Sequence, residues 1–384
     1  MFDAFAERAA VQGVDTVASF ISYLYRRGPD DRFDAKQVAD IAGIDASRAQ
    51  RLLDLAADPQ LNLLAAEEVL CCPSCGLALL CEAAEAELET EESIACKGCG
   101  VEFESLDQWK AARRFRMTDR GLAEANPNPP TVSAVILTAL SLELAAVIPH
   151  LENINEERES GTIYKVGSFR GHHVDWRIAA AITEAGGGNA AAAAERAITR
   201  FEPAVALFVG IAGGLSEQCM KWGDVVAATE IYNYEWGVER AEFQQRQKSA
   251  GAAHSLRQQA HHVALGDAWR QRSSAEQING QPPDVVVEPI AAGEKLIRDS
   301  GSTVYERLRK DFDKAVAVEM EGHGFLAALD QSEKVAGIVV RGISDLCHDK
   351  DEARRAGAPK IAATNAAAFA FELLNCYQPD GLDD

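Results

Sequence analysis

From residue 132 onward the chain alternates between short apolar runs and longer Ala-rich stretches. The runs are "VSAVILTAL", "HVDWRIAAAIT", "PAVALFVGIAGG", "GDVVAATEI", "AVAVEM" and "KVAGIVVRGIS", rich in β-branched residues and continuous rather than alternating. Such runs predict strands buried on both faces. Between them, "GNAAAAAERAITRF" and "KIAATNAAAFAFELLN" carry apolar residues at helical spacing. Strands alternating with helices predict an α/β domain built on a mostly parallel sheet, which binds its ligands at the carboxyl ends of the strands. The polar, weakly helical stretch 240–284 is expected to be an insertion or a lid over that edge.

The first third has a different texture. Residues 1–70 show helical spacing, with "DAKQVADIAGIDASRAQRLLDLAAD" predicting helix, Gly-containing turn, helix. "LNLLAAEEVLCC" follows as a candidate for the wing strands of a winged-helix-like module. A Pro- and Asn-rich stretch, "ANPNPPT" at 125–131, cannot continue a helix or central strand and marks a linker. The predicted order is a winged-helix-like module over 1–70, a cysteine-bearing segment with a flanking helix over 71–124, the linker, and an α/β domain over 132–384.

Composition narrows the classes. The 384 residues are 47% hydrophobic and 25% charged, as in a soluble globular protein, and the formal charge is −21. That charge repels nucleic acid and anionic membranes at long range. Residues 1–126 hold 13 Lys+Arg against 23 Asp+Glu, net −10, so the helical module favours protein docking or regulation over DNA reading. The basic cluster "KAARRFR" at 110–116 is either a solvated helix face or a hold for an acidic partner. No apolar run is long enough to span a bilayer, and "MFDAFAERAA" lacks the basic-then-apolar order of a signal; a cytoplasmic protein without membrane contact is expected.

Among nine cysteines, Cys72, Cys75, Cys96 and Cys99 form two C-x2-C-G pairs separated by 20 residues. This is the spacing of a tetrahedral four-thiolate zinc site and resembles a zinc ribbon. The zinc is structural, because a segment with the acidic middle "CEAAEAELETEES" has little core of its own. Cys71 and Cys81 are spare neighbours, and Cys219, Cys347 and Cys376 read as ordinary thiols.

In the α/β segment the conspicuous polar residues fall just after apolar runs: Glu143, the glycines of "TEAGGGN" (Gly187 and Gly188 among them), the glycines of "GIAGG" (Gly213), Glu321, and Arg341 with Ser344 and Asp345. One edge of one sheet would gather them. Singly, each is as well explained by turn geometry, helix capping or a buried ion pair. Neither Gly-rich segment has the spacing of a Walker or dinucleotide loop.

In their order, "TALSLEL", "AGGGNAAAA", "VGIAGGL", "GDVVAA", "AVEMEG" and "RGISD" resemble the nucleoside phosphorylase superfamily, and most closely its methylthioadenosine/S-adenosylhomocysteine nucleosidase branch, over about residues 132–376. The resemblance implies a three-layer α/β/α fold, cleavage of the N-glycosidic bond of a purine nucleoside without a catalytic cofactor, and a homo-oligomer. Glu321 would then hold the ribose hydroxyls and favour the cationic transition state, with Met320 against the sugar face and Glu319 structural or assisting. Asp345, oriented by Ser344, would keep a proton for purine N7 at a raised pKa. Arg341 would neutralise and position the ribose-side carboxylates. Glu143 stands where nucleosidases keep the acid that activates water and phosphorylases carry an arginine, so hydrolysis is favoured over phosphorolysis.

The chain departs from the family where an aromatic ring stacks on the base. The matching positions are Lys295 and Leu296, leaving Phe208, Tyr232, Tyr234 or Trp236 as other sources of a platform. After the aspartate, Lys350, Arg354, Arg355 and Lys360 form either a solvated helix or a hold for a 5′-phosphate chain. Related nucleosidase domains fused to adaptor modules occur in bacterial conflict systems, which suggests a regulated antiviral effector by analogy. A phosphorylase and a non-catalytic nucleotide sensor, with its N-terminal arm on a protein or on DNA, remain the alternatives.

Overall fold

The computed structural model describes residues 33–74, 78–80, 94–96, 99, 101–103, 109–118, 131–215, 220–240, 243–273, 282–332 and 334–379, together with residues 5, 8, 9, 20 and 24. The acidic run 81–93, Cys75, Cys81, Cys219 and all of the expected linker but Thr131 lie outside them. Two compact units divide the chain at Pro129/Pro130.

In the first unit, α1 (Ala35–Ala42) and α2 (Ala46–Ala56) start at Asp34 and Asp45, whose carboxylates accept the backbone N–H of Gln37 and Arg48, each at 2.9 Å. Gly43 ends α1 at φ 66°, left-handed backbone that glycine adopts without cost. Both helices close over a core that includes Phe33, Leu52, Leu53, Leu63, Phe115 and Met117. Strand β1 (Leu64–Cys71) pairs with the short β2 (Ala78–Leu80); the hairpin β3 (Ile94–Ala95) and β4 (Glu102–Phe103) follows.

The basic stretch expected on a helix is instead strand β5 (Lys110–Met117), antiparallel to β1 along its whole length. Pairing with β1 decides it: Phe115 and Met117 are buried, while the arginines between and before them reach acids of the same unit. Arg113 meets Asp54 at 3.1 Å, Arg114 meets Asp34, and Arg116 meets Glu67. These charges are already engaged within the unit.

The second unit is a ten-stranded sheet: β6 (Thr131–Thr138), β7 (Glu152–Glu159), β8 (Thr162–Arg170), β9 (Asp175–Ile182), β10 (Val205–Gly214), β11 (Val225–Asn233), β14 (Ser249–Gly251), β15 (Val285–Ala292), β16 (Ala317–Glu319) and β17 (Ala336–Asp345). A separate small hairpin joins β12 (Gly237–Val238) to β13 (Gln244–Gln245). Parallel pairing links β9, β6, β10 and β17 in turn, so their carboxyl ends share one edge. Side chains alternate between two cores. Ala134, Ile136, Leu207, Val209, Ile338 and Val340 face one, with α5 (His254–Ala264), α6 (Ala268–Arg272) and α10 (Ala358–Cys376). Val135, Leu137, Ala206, Phe208 and Val339 face the other, with α4 (Gly187–Phe201) and α8 (Gly322–Leu329). This is the three-layer α/β/α architecture expected.

The stretch expected as a lid belongs largely to the body of the fold. β14 pairs with β11, and α5 and α6 bury Leu256, Ala260, Val263 and Trp269 in the core. Residues 274–281 lie outside the described ones. No helix among the described residues is long and apolar enough to cross a membrane.

Candidate active site

A cavity of about 580 Å³, within the roughly 300–1,000 Å³ range of small-molecule sites, opens at the carboxyl edge of the sheet. Glu143, Gly213, Glu319, Met320, Glu321, Ser344 and Asp345 all line it, although 202 positions of sequence separate the first from the last. The topology assembles them: β6 leads into α3 (Ser141–Val147) with Glu143 in its first turn, β16 ends at Glu319, and β17 ends at Asp345.

Glu143 is buried. Its Oε2 accepts the N–H groups of Ala139 and Leu140 at 2.8 Å each, and its Oε1 accepts that of Ile211 at 2.8 Å. It therefore serves the helix start and the cavity at once, and Oε1 keeps one lone pair for another donor. Burial raises its pKa above the ordinary carboxylate value against the pull of Arg341, which lies 3.8 Å away.

Arg341 does not line the cavity; it lies fully buried behind it. Its Nη2 contacts Glu319 and stands 2.8 Å from Glu321 Oε2. Burial opposes its charge, but Glu319, Glu321 and Glu143 together outweigh that and raise its pKa, so the guanidinium stays charged. Glu319 is held further by the N–H groups of Glu321 at 3.0 Å and Gly322 at 2.8 and 2.9 Å. Burial is the main cause of its raised pKa. Glu321 is tied more lightly, to Arg341 and to the Gly186 N–H at 3.0 Å.

Asp345 accepts a hydrogen bond from Ser344 Oγ at 2.7 Å and from the Cys347 N–H at 3.1 Å, with Lys350 Nζ at 3.1 Å. Cys347 takes φ 70°, which turns its N–H back toward the carboxylate. Burial pushes the Cys347 thiol up to about 12, so it remains a neutral wall group.

Two expectations change. Gly187 and Gly188 line a neighbouring cleft with Glu294, Trp236 and His323, sharing only Met320 with the main cavity. Gly186, at φ 104°, makes the turn that aims its own N–H at Glu321, whereas Gly187 serves a helix crossing: a Cβ on Gly324 would stand 2.0 Å from the Gly187 carbonyl oxygen. None of the proposed aromatic platforms faces the cavity either. Phe208 is buried under the Arg341 guanidinium, 4.7 Å from the ring centroid, and Tyr234 donates from its hydroxyl to the Lys295 carbonyl at 3.3 Å. The apolar lining is instead aliphatic: Leu140, Leu142, Leu296, Ile297, Val318 and Met320. Lys295 joins Leu296 in the wall, as the position match suggested.

Pattern reading counted Gly210 among the glycines of "GIAGG" but gave it no role of its own. It sits opposite Arg341 in the β10–β17 register, and a Cβ there would stand 2.2 Å from Arg341 Nη1 and 2.5 Å from Glu143 Oε1. As the first residue of "GIAGG" it resembles an ordinary strand-end glycine, which hid this role.

The model of the phosphorylase superfamily matches residues 133–375 of this chain, nearly the whole second unit. The chain belongs to the phosphorylase superfamily. A relative named ATP nucleosidase Cap17, from Escherichia coli, is 30% identical over 261 residues, 62% of this chain and 51% of the relative. The chain thus spans about half that relative's length. A 5′-methylthioadenosine/S-adenosylhomocysteine nucleosidase of Staphylococcus epidermidis is 26% identical over 222 residues, 56% of this chain and 87% of the relative. Among solved structures, the corresponding nucleosidase of Neisseria meningitidis superposes with a TM-score of 0.52 at 22% identity, covering 64% of this chain and 99% of that one, which supports the fold.

In the first unit, the Sγ atoms of Cys72, Cys96 and Cys99 lie within 4.8 Å of one another, with Cys72 and Cys99 at 3.9 Å. Zinc–sulfur bonds of about 2.3 Å in a tetrahedron would separate sulfurs by roughly 3.8 Å, so the three fit a zinc ion. The Ser74 N–H points at Cys72 Sγ from 3.4 Å, as thiolate sites require. Cys75, the fourth expected ligand, lies outside the described residues.

Proposed function

We propose that the chain is a purine N-ribosyl hydrolase that releases a free base, adenine favoured, from a nucleoside or nucleotide. The observation that carries this reading is that Glu143 and Asp345 line one cavity with Glu321 and Met320 between them in the chain. Water attacks C1′ of the ribose as the C1′–N9 bond breaks; Glu143 takes the water's proton, and Asp345 gives one to N7 as the bonding electrons leave with the base. Glu321 holds the sugar hydroxyls and, with Glu143, places negative charge beside the cationic transition state. A carboxylate in the loop after the first strand, where a phosphate would need a cation, favours water over phosphate as nucleophile. The names of the relatives, nucleosidases of ATP and of methylthioadenosine, point the same way.

In this reading Cys75 completes a structural zinc site with Cys72, Cys96 and Cys99, the helical module resembles a winged helix that docks a protein, and the whole is a cytoplasmic, homo-oligomeric effector whose output is a depleted purine pool. Chromatography of free base from methylthioadenosine, adenosine, AMP and ATP in phosphate-free buffer tests the reaction. Base release abolished by Glu143→Gln and by Asp345→Asn is expected. Release only when phosphate is added would make the enzyme a phosphorylase, and binding without release a nucleotide sensor.

A further inference from the structure

The wall of the cavity that follows Asp345 has a charge unlike the rest of the molecule. Lys350, Arg354 and Lys360 line it, with Gly357 and Pro359 between the last two. Lys350 and Arg354 are four residues apart on α9 (Lys350–Arg355), so they share one face of that helix. The other charges of α9 are absent from this wall. Asp351 pairs outward with Arg298 at 3.0 Å, and Arg355 Nε donates to the Asp351 carbonyl at 3.2 Å. Lys360 stands in the first turn of α10, beside Gly357.

Arg354 and Lys360 are exposed and have no ion-pair partner among the described residues, in a chain of net charge −21 where acids are plentiful. A solvated surface would scatter such cations among acids, as β5 does with Arg113, Arg114 and Arg116. Here cations converge on a cavity whose other charged residues are the carboxylates of the proposed chemistry and Lys295, whose ammonium meets Glu235.

We propose that Lys350, Arg354 and Lys360 bind the 5′-polyphosphate chain of a purine nucleotide, which makes nucleoside di- or triphosphates the substrate class. This rests on the hydrolase reading, because Glu321 and Met320 must hold the ribose for its 5′ oxygen to lead toward α9. Two lysines and an arginine, one lysine shared with Asp345, suit several phosphates better than one. Long-range repulsion from the protein's negative charge makes local cations necessary for such an anion.

The test compares adenine release from ATP and from methylthioadenosine, as the ratio of kcat/KM values, in the unaltered chain, in Arg354→Gln/Lys360→Gln and in Arg355→Gln. Calorimetric titration with inorganic tripolyphosphate accompanies it. Exposed positions make misfolding of these variants a minor concern. The expected result is preference for ATP, a ratio that falls about a hundredfold in the double variant, roughly tenfold for each charged hydrogen bond lost, and little change in Arg355→Gln. Tripolyphosphate should bind the unaltered chain and not the double variant. A preference for methylthioadenosine, or a ratio indifferent to the double substitution, overturns the proposal. Adenine release without tripolyphosphate binding overturns it while leaving the hydrolase reading standing. Tripolyphosphate binding lost in the double variant, but no base release from any compound, upholds the anion wall and sinks the hydrolase reading.

Discussion

Arg341 Nη2 stands 2.8 Å from Glu321 Oε2 with both groups buried, and the same nitrogen contacts Glu319. One guanidinium thus underlies both carboxylates proposed for the ribose side. Removing it while keeping its partners leaves buried negative charge without compensation, which typically costs about 3–5 kcal/mol. Arg341→Met should lower unfolding free energy by about that amount in urea titration and abolish base release. A variant as stable as the unaltered chain would mean the carboxylates take up protons at little cost.

Glu143 predicts the acid limb of activity. Burial raises its pKa above the ordinary glutamate value of 4.5, with Arg341 opposing, and a general base must be ionised to act. The kcat/KM profile should therefore rise with pH through a midpoint above 4.5. The stability sign is opposite: a carboxyl whose folded pKa is raised contributes most below its unfolded pKa, and that contribution is lost as pH rises through the folded one. Activity and this destabilisation appear over the same window. A midpoint at or below 4.5 would remove Glu143 from the role. Glu143→Gln should lower kcat by about 10²–10⁴.

Much of this site was legible because parallel strands place successive loop residues on one edge, so polar residues after apolar runs converge without any long-range information. Glu143, Glu321 and Asp345 were expected on one edge this way, and the structure brings them to one cavity. The misplacements have local causes. "KAARRFR" has too few apolar residues for its strand alternation to show, and only pairing with β1 decides it. Residues 254–272 hid Leu256, Ala260 and Val263, at helical spacing, among glutamines and histidines. The steric role of Gly210 depends on what stands opposite in the register, which spacing along the chain does not contain.

Zinc is the next expectation. Elemental analysis should find one zinc per chain, lost in Cys72→Ser and in Cys75→Ser alike, with a fall in the melting temperature of the first unit on chelation. A chain without zinc whose four thiols all react with a thiol reagent under native conditions would dismiss the site.

His150 stacks on Phe371 with ring centroids 4.5 Å apart, and burial, with a smaller push from Arg272, lowers its pKa from 6.5 to about 4. Below pH 6.5 the unfolded chain takes up a proton that the folded chain refuses, so the histidine's contribution is present at neutral pH and declines as pH falls toward 4. Asp224 titrates in the other sense, its pKa raised to about 6 mainly by burial, so the pH profile of the whole protein mixes the two. A difference measurement separates them. His150→Phe keeps the stack and removes the titration, so it should gain stability relative to the unaltered chain by roughly 1 kcal/mol between pH 7 and pH 5.5. Parallel stability profiles over that range would mean that His150 finds water or a carboxylate in the folded state and ionises there as it does in the unfolded chain.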